Sequence, residues 1–207
     1  MKLWRPVGFA ELALIYDSQM REFPPRLPEQ PIFYPVLNFD YAAQIARDWN
    51  AKEKDSAGYV TEFEIADKYI SQFERKIVGG RQHEELWIPA ERLSEFNSQI
   101  QSPINVIAGF FSSHFLGLIP EKFGLRGKTA AEQFICLSES LGYSSFDVWC
   151  ESAINAKAVF MNFLLGELGC TQNGRPLDEK ERKVIDFIKK RWPELNCGFN
   201  LPTNHSN

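Results

Sequence analysis

Glycine-rich phosphate loops are missing from this chain. Neither G-x-G-x-x-G nor G-x-x-x-x-G-K-[ST] occurs in its 207 residues, which disfavours Rossmann and P-loop nucleotide sites. Cysteine is scarce. Cys136, Cys150, Cys170 and Cys197 all lie in the second half without C-x-x-C spacing, so no zinc or redox motif is read from them and no metal is expected. Cys136 (F-I-C-L) and Cys150 (V-W-C-E) have apolar or helical neighbours and read as small core residues, in keeping with a reducing compartment. Basic residues are not in excess either: a net charge of -4 argues against holding nucleic acid by bulk electrostatics and leaves open only a local basic face. No apolar stretch is long enough to span a bilayer, and the opening M-K-L-W-R-P-V-G has no secretory h-region. A cytoplasmic protein with no membrane contact is expected. No internal repeat is visible.

What the chain does have is apolar content of 44% with 17 Phe, enough to fill one substantial core or two smaller ones. Residues 3–7 read as a first strand on which Arg5 shares a face with Leu3 and Val7. A charge on that face needs a partner, unless its stem lies over apolar neighbours and its head reaches water. A helical run follows Gly8. Then comes F-P-P-R-L-P-E-Q-P, whose prolines impose a stiff extended loop; Arg26 within it and Arg21 just before it are each either a candidate phosphate ligand or, as is commoner in loops, a solvated charge.

Residues 32–37 (I-F-Y-P-V-L) read as a second strand, at an edge or bulged because of Pro35. Asn38 caps a helix with a buried stripe running from Tyr41 to Trp49. G-Y-V-T-E-F-E-I alternates as a half-buried third strand with Thr61 on the face of Tyr59 and Phe63. Residues 66–77 read as short helix and loop, residues 90–100 as helix, and residues 103–107 as a closing strand.

Between them lies G-G-R-Q-H-E-E-L-W-I-P-A-E-R-L, a glycine turn running into the strand Leu86-Trp87-Ile88. By the two-residue period of a strand, Glu85 shares a face with Trp87 while Glu84 sides with Leu86 and Ile88. If Leu86 and Ile88 face the core, Glu85 faces solvent or a cleft.

The second half reads as helical. T-A-A-E is a capping box opening a helix at Thr129 that stops at Gly142. Ser145 caps a longer helix ending at Gly169, and D-E-K-E opens a third at Asp178. The outer face of that last helix carries Lys180, Arg182, Lys183, Lys189, Lys190 and Arg191, either a solvated face or a contact for nucleic acid or an acidic partner. The tail from Asn200 is polar. An α+β domain over residues 1–107 and a small helical domain over residues 108–207 are therefore expected.

Arg5 on the first strand, F-Y-P-V-L-N-F-D-Y-A-A-Q-I-A, and the glutamate of E-L-W-I-P follow one another in an order that resembles the ADP-ribosyltransferase fold. The diphtheria-toxin-like and poly-ADP-ribose-polymerase-like branch is the nearer, and the first half is similar to bacterial proteins grouped as "ADP-ribosylation/crystallin J1". The resemblance covers residues 1–107. It implies a split β-sheet and NAD as substrate, with Glu85 as the catalytic carboxylate and His83 two residues before it in an orienting position. It also implies Tyr34 stacking on nicotinamide, Arg5 in the first-strand position, and Arg26, Tyr41 and Thr61 as further NAD-binding residues. Small bacterial transferases of this fold are frequently toxins of toxin-antitoxin or phage-defence systems. RNA, or else DNA, is accordingly expected as acceptor, with an antitoxin or chaperone as a possible protein partner. A protein acceptor, and a non-catalytic interaction or inhibitor protein on a degenerate transferase fold, are the alternatives.

Overall fold

Pro6 decides where the first sheet ends. In the computed structural model, which describes residues 1–54, 56–80, 83–168, 177–195 and 197–204, the chain forms two compact units, Met1–Ser112 and Ser113–Asn204. Gly169 and Cys170, together with Arg81 and Gln82 of the glycine turn, lie outside the described residues. The first unit runs β1 (Lys2–Gly8), α1 (Phe9–Asp17), β2 (Ile32–Phe33), α2 (Phe39–Asp48), β3 (Ala57–Glu64), α3 (Asp67–Ile70), β4 (Glu74–Ile77), β5 (Glu84–Pro89), α4 (Leu93–Ser98) and β6 (Asn105–Phe111).

These strands make two three-stranded antiparallel sheets, β1-β3-β6 and β2-β5-β4. One residue pair joins them. Trp4 N–H donates to the Val36 carbonyl at 3.0 Å and Val36 N–H to the Trp4 carbonyl at 2.7 Å, and Val36 in turn bridges to Glu85. On the same edge of β1 the next group to pair belongs to Pro6, which has no N–H to offer, so the ladder stops and the sheets part.

Tyr41, Ala42, Ile45 and Ala46 of α2 pack with Val36, Val60 and Ala108, and Trp4 lies partly buried against them. Asn38 accepts the Tyr41 N–H as the expected cap. The helix comes so close to β3 that a Cβ on Gly58 would lie 2.0 Å from the Ala46 carbonyl oxygen. The opposite face of β1 and β3 holds Leu3, Val7, Tyr59 and Phe63, all buried. β3 is therefore covered on both sides rather than half-buried, because α2 lies over the face expected to be wet. Trp49 is 62% exposed, since α2 ends at Asp48 and the chain turns out of helical phase there. β4 occupies residues expected as loop; its two-residue period is masked by the charged run E-R-K at a sheet edge. β6 extends to Phe111, past the expected boundary at residue 107.

The second unit contains α5 (Ala130–Leu141), α6 (Ser145–Ile154), α7 (Ala156–Glu167) and α8 (Glu179–Arg191). Both expected capping boxes form, Thr129 with Glu132 and Asp178 with Glu181. The long helix expected from Ser145 is capped instead by Ser144, whose side chain accepts the Asp147 N–H, and it breaks at Asn155 (φ -109°, ψ 29°) into α6 and α7. Asn155 donates to the Glu151 carbonyl and carboxylate at 3.2 Å, satisfying the end of α6 locally.

Asn162 on α7 is 1% exposed and works as a buried clamp. It accepts the Leu118 N–H at 2.8 Å and donates to the Leu118 carbonyl at 2.9 Å and to Gln133 Oε1 at 3.0 Å. Replacing Asn162 with Leu strands the Leu118 N–H and Gln133 Oε1, while the Leu118 carbonyl keeps the Gln133 amide, and is expected to destabilise the protein by about 1–3 kcal/mol. Urea unfolding measures it, and an unchanged midpoint would show the clamp to be dispensable. No helix among the described residues is long and apolar enough to cross a membrane.

Candidate functional site

Arg5 leaves β1 on the side away from α2, and only 2% of the residue is exposed. α1 begins directly after Gly8, which brings Glu11 in its first turn back over the strand. The Glu11 carboxylate takes a side-on fork from Arg5, Nε to Oε1 at 3.2 Å and Nη2 to Oε2 at 3.4 Å. Nη1 donates to the Tyr34 carbonyl at 3.3 Å. The guanidinium also lies 4.8 Å from the ring centroids of both Phe33 and Tyr34, close enough for cation–π attraction. The core-facing arginine thus has its partner, Glu11, and its head is buried rather than solvated.

The proline loop brings a second arginine to the same carboxylate. Its start is pinned by Asn97, which accepts the Phe23 N–H at 3.0 Å and donates to the Phe23 carbonyl at 2.9 Å. Its end is pinned by the Ala90 N–H on the Pro31 carbonyl at 2.9 Å. Arg26 Nη1 lies 3.8 Å from Glu11 Oε1, and Nη2 donates to Gln30 Oε1 at 2.6 Å. Burial and then the Arg5 charge lower the Arg26 pKa, with Glu11 and Tyr34 opposing, although a guanidinium stays charged at neutral pH. Two buried cations share one carboxylate. Together with Pro6, Gly8, Tyr34 and Leu27 they line a cavity of about 390 Å³, within the size range of small-molecule sites.

Glu85 belongs to a second cluster. It is 7% exposed, neither solvated nor part of the cavity lining. Its partners across the sheets, Lys76 and Val36, put it in line with Trp4, on the α2 side, whereas Arg5 starts from the other side. Oε1 accepts the Tyr41 hydroxyl at 2.9 Å and Oε2 accepts Trp87 Nε1–H at 2.8 Å. Burial first, then this bond to Glu85, raises the Tyr41 pKa, so the hydroxyl stays protonated as a donor. His83 stacks on the Tyr41 ring at 4.2 Å and 16°, and its Nδ1 lies 3.2 Å from the Val78 carbonyl oxygen. It buttresses Tyr41.

Tyr34 connects the clusters. Its ring covers Arg5 and lines the cavity, and two residues further along the chain Val36 pairs with Glu85. Thr61 pairs with Arg5 across β1 and β3, and its hydroxyl is fully buried, donating to the Arg5 carbonyl at 2.8 Å. It holds the strand beside the irregular register of β3 and β6 at Val60/Thr61 and does not line the cavity.

Comparison with protein-family models, curated proteins and solved structures finds no match.

Glu11, Gln30 and Trp87 were not among the expected site residues. Glu11 had a readable signal: an arginine between two core residues demands a carboxylate, and Glu11 is the first after it. Gln30 and Trp87 had none beyond their neighbours. On α8, Lys183, Lys189 and Arg191 pair with Glu179, Glu167 and Glu194 at 2.7, 2.6 and 2.9 Å, which leaves Lys180, Arg182 and Lys190 as the basic residues of that face without an ion pair among the described residues. Among the described residues no cluster of His, Cys, Asp and Glu is arranged to hold a metal.

Proposed function

We propose that this protein is an NAD-dependent ADP-ribosyltransferase whose catalytic unit is Met1–Ser112. The observation that carries the reading is the position of Tyr34, in the wall of an arginine-lined cavity and two residues before Val36, which pairs with Glu85. The strand order β1-β3-β6 and β2-β5-β4, parted at Pro6, agrees with the split sheet the resemblance implies.

NAD supplies a cationic leaving group that departs neutral: its nicotinamide–ribose bond breaks with the electron pair passing to the pyridinium nitrogen, while positive charge develops on the ribose. The residues fit such a substrate. Arg5 and Arg26 offer positive charge to the dinucleotide's phosphates, and Tyr34 offers an aromatic face to nicotinamide. Glu85 has two of its roughly four lone-pair positions in use, so it retains capacity for a ribose hydroxyl and for stabilising the developing charge. Tyr41 and Trp87 fix the carboxylate, and His83 fixes Tyr41. The acceptor's attacking atom joins the ribose carbon and its proton passes to solvent or to a carboxylate.

RNA is the favoured acceptor, on the open cations Lys180, Arg182 and Lys190, and the role is that of a bacterial toxin or phage-defence effector acting in the cytoplasm. DNA, a protein acceptor, and an antitoxin or chaperone bound to the helical unit are the alternatives for the same surface. Incubation with NAD labelled in its adenosine moiety and separate pools of RNA, DNA and protein is expected to label RNA. Label in another pool would reassign the acceptor, and label in none would remove the enzymatic reading.

A second reading has its own observation. Glu85 lies outside the cavity lining, with both oxygens engaged, as expected of a non-catalytic protein that binds a dinucleotide or serves as an inhibitor.

A further inference from the structure

Arg26 is held in an incomplete state. Its side chain is only 8% exposed, yet Nε is buried with no hydrogen-bond partner among the described residues. Its Glu11 contact, at 3.8 Å from Nη1, is an ion pair too long for a hydrogen bond. Nε and Nη2 form the side-on fork of a guanidinium, the same fork by which Arg5 grips Glu11. On Arg26 half of that fork is unused and the other half is taken by the Gln30 amide oxygen at 2.6 Å. Gln30 is an exposed side chain four residues along the same loop, with its backbone N–H on the Leu27 carbonyl at 2.8 Å, so its amide can swing to water without disturbing the loop.

Charge points the same way. Arg5 and Arg26 share the Glu11 carboxylate, and the other acid of the lining, Glu53, is exposed, so the buried part of the cavity sets two guanidiniums against one counter-charge, a surplus that burial makes costly to leave alone. The prolines on either side of Arg26, and the anchors at Phe23 and Pro31, keep that surplus from relaxing away.

We propose that the Arg26 fork is the diphosphate subsite of this cavity and that the Gln30 amide oxygen is a stand-in for a phosphate oxygen, displaced when a diphosphate binds. This rests on the dinucleotide reading for its place in a reaction but not for its chemistry. A phosphate presents two oxygens at the spacing of the fork, and the loss of the neutral Gln30 bond is offset by two charge-assisted ones. Arg5, with Nε, Nη1 and Nη2 each already committed to Glu11 or the Tyr34 carbonyl, contributes chiefly charge.

The test uses the full chain and isothermal titration with inorganic pyrophosphate, ADP, ADP-ribose and nicotinamide riboside. Saturable binding of the three diphosphates and none of the riboside is expected. Arg26→Gln should weaken pyrophosphate at least tenfold, whereas Gln30→Ala, on an exposed side chain, should tighten it about threefold by removing the competitor. A merely structural Arg26–Gln30 contact would give weaker or unchanged binding in both variants. Absence of saturable pyrophosphate binding to the unaltered protein, or looser binding in Gln30→Ala, overturns the proposal even if Arg26→Gln fails to fold. Pyrophosphate binding without NAD cleavage would remove the transferase reading and leave the subsite standing. NAD cleavage insensitive to Gln30→Ala, with no pyrophosphate binding, would do the reverse.

Discussion

Glu85→Gln is expected to lower ADP-ribose transfer about 10²–10³-fold, the loss typical of removing one preorganised charge-stabilising group. The substitution is chosen to remove charge and keep shape. A glutamine in this position still has an oxygen for one donor, and the Tyr41 hydroxyl can turn from donor to acceptor towards the new amide N–H. The packing of Leu86 and Ile88 on the other face of β5 is untouched. The melting temperature should therefore stay near that of the unaltered protein while label transfer from NAD falls. Glu84→Gln is the control: Glu84 pairs with Ile77 on the other side of the strand and makes no contact with Tyr41, so transfer should persist. Equal losses in both variants, or retained transfer in Glu85→Gln, would remove Glu85 from the chemistry and favour the binding reading.

The sequence made the helix starts readable because caps are local. Asn38, Thr129 and Asp178 each satisfy their own first turn, so the expectation needed no knowledge of the rest of the fold. What it could not supply was long-range covering. β3 looked half-buried because Glu62 and Glu64 alternate with its apolar residues, yet α2 covers Val60. Glu85 looked open because a carboxylate on the face opposite Leu86 is ordinarily wet; the side chain that buries it, Tyr41, is 44 residues away. Arg5 was the reverse case. Its place between Leu3 and Val7 signalled a buried charge, and the cavity follows from that one conflict between period and polarity. β4 gave no such signal, since charged edge strands resist reading by hydrophobic period. The parting of the sheets, by contrast, was present in the dipeptide Arg5-Pro6 and became legible only once Trp4 was seen paired with Val36.

That buried charge leads to the largest stability effect. Glu11→Ala leaves the Arg5 guanidinium, with its side chain 3% exposed, holding a single carbonyl at 3.3 Å and two ring faces, and also removes the counter-charge of Arg26. Breaking a buried pair from one side typically costs about 3–5 kcal/mol. The expected result is destabilisation of that order, a large part of the roughly 5–15 kcal/mol available to a domain, seen in urea unfolding of the full chain. Loss of a carboxylate from the first turn of α1 accounts for at most about 1 kcal/mol of it. The double variant Arg5→Met, Glu11→Leu separates the causes. With the Arg5 and Glu11 charges both gone their desolvation term goes too, and apolar side chains suit a site already walled by Phe33 and Tyr34, so stability should return in large part, the remainder reflecting Arg26 without its counter-charge. If Glu11→Ala lies within about 1 kcal/mol of the unaltered protein, the Arg5 head has water to turn to and does not depend on Glu11 for its charge balance.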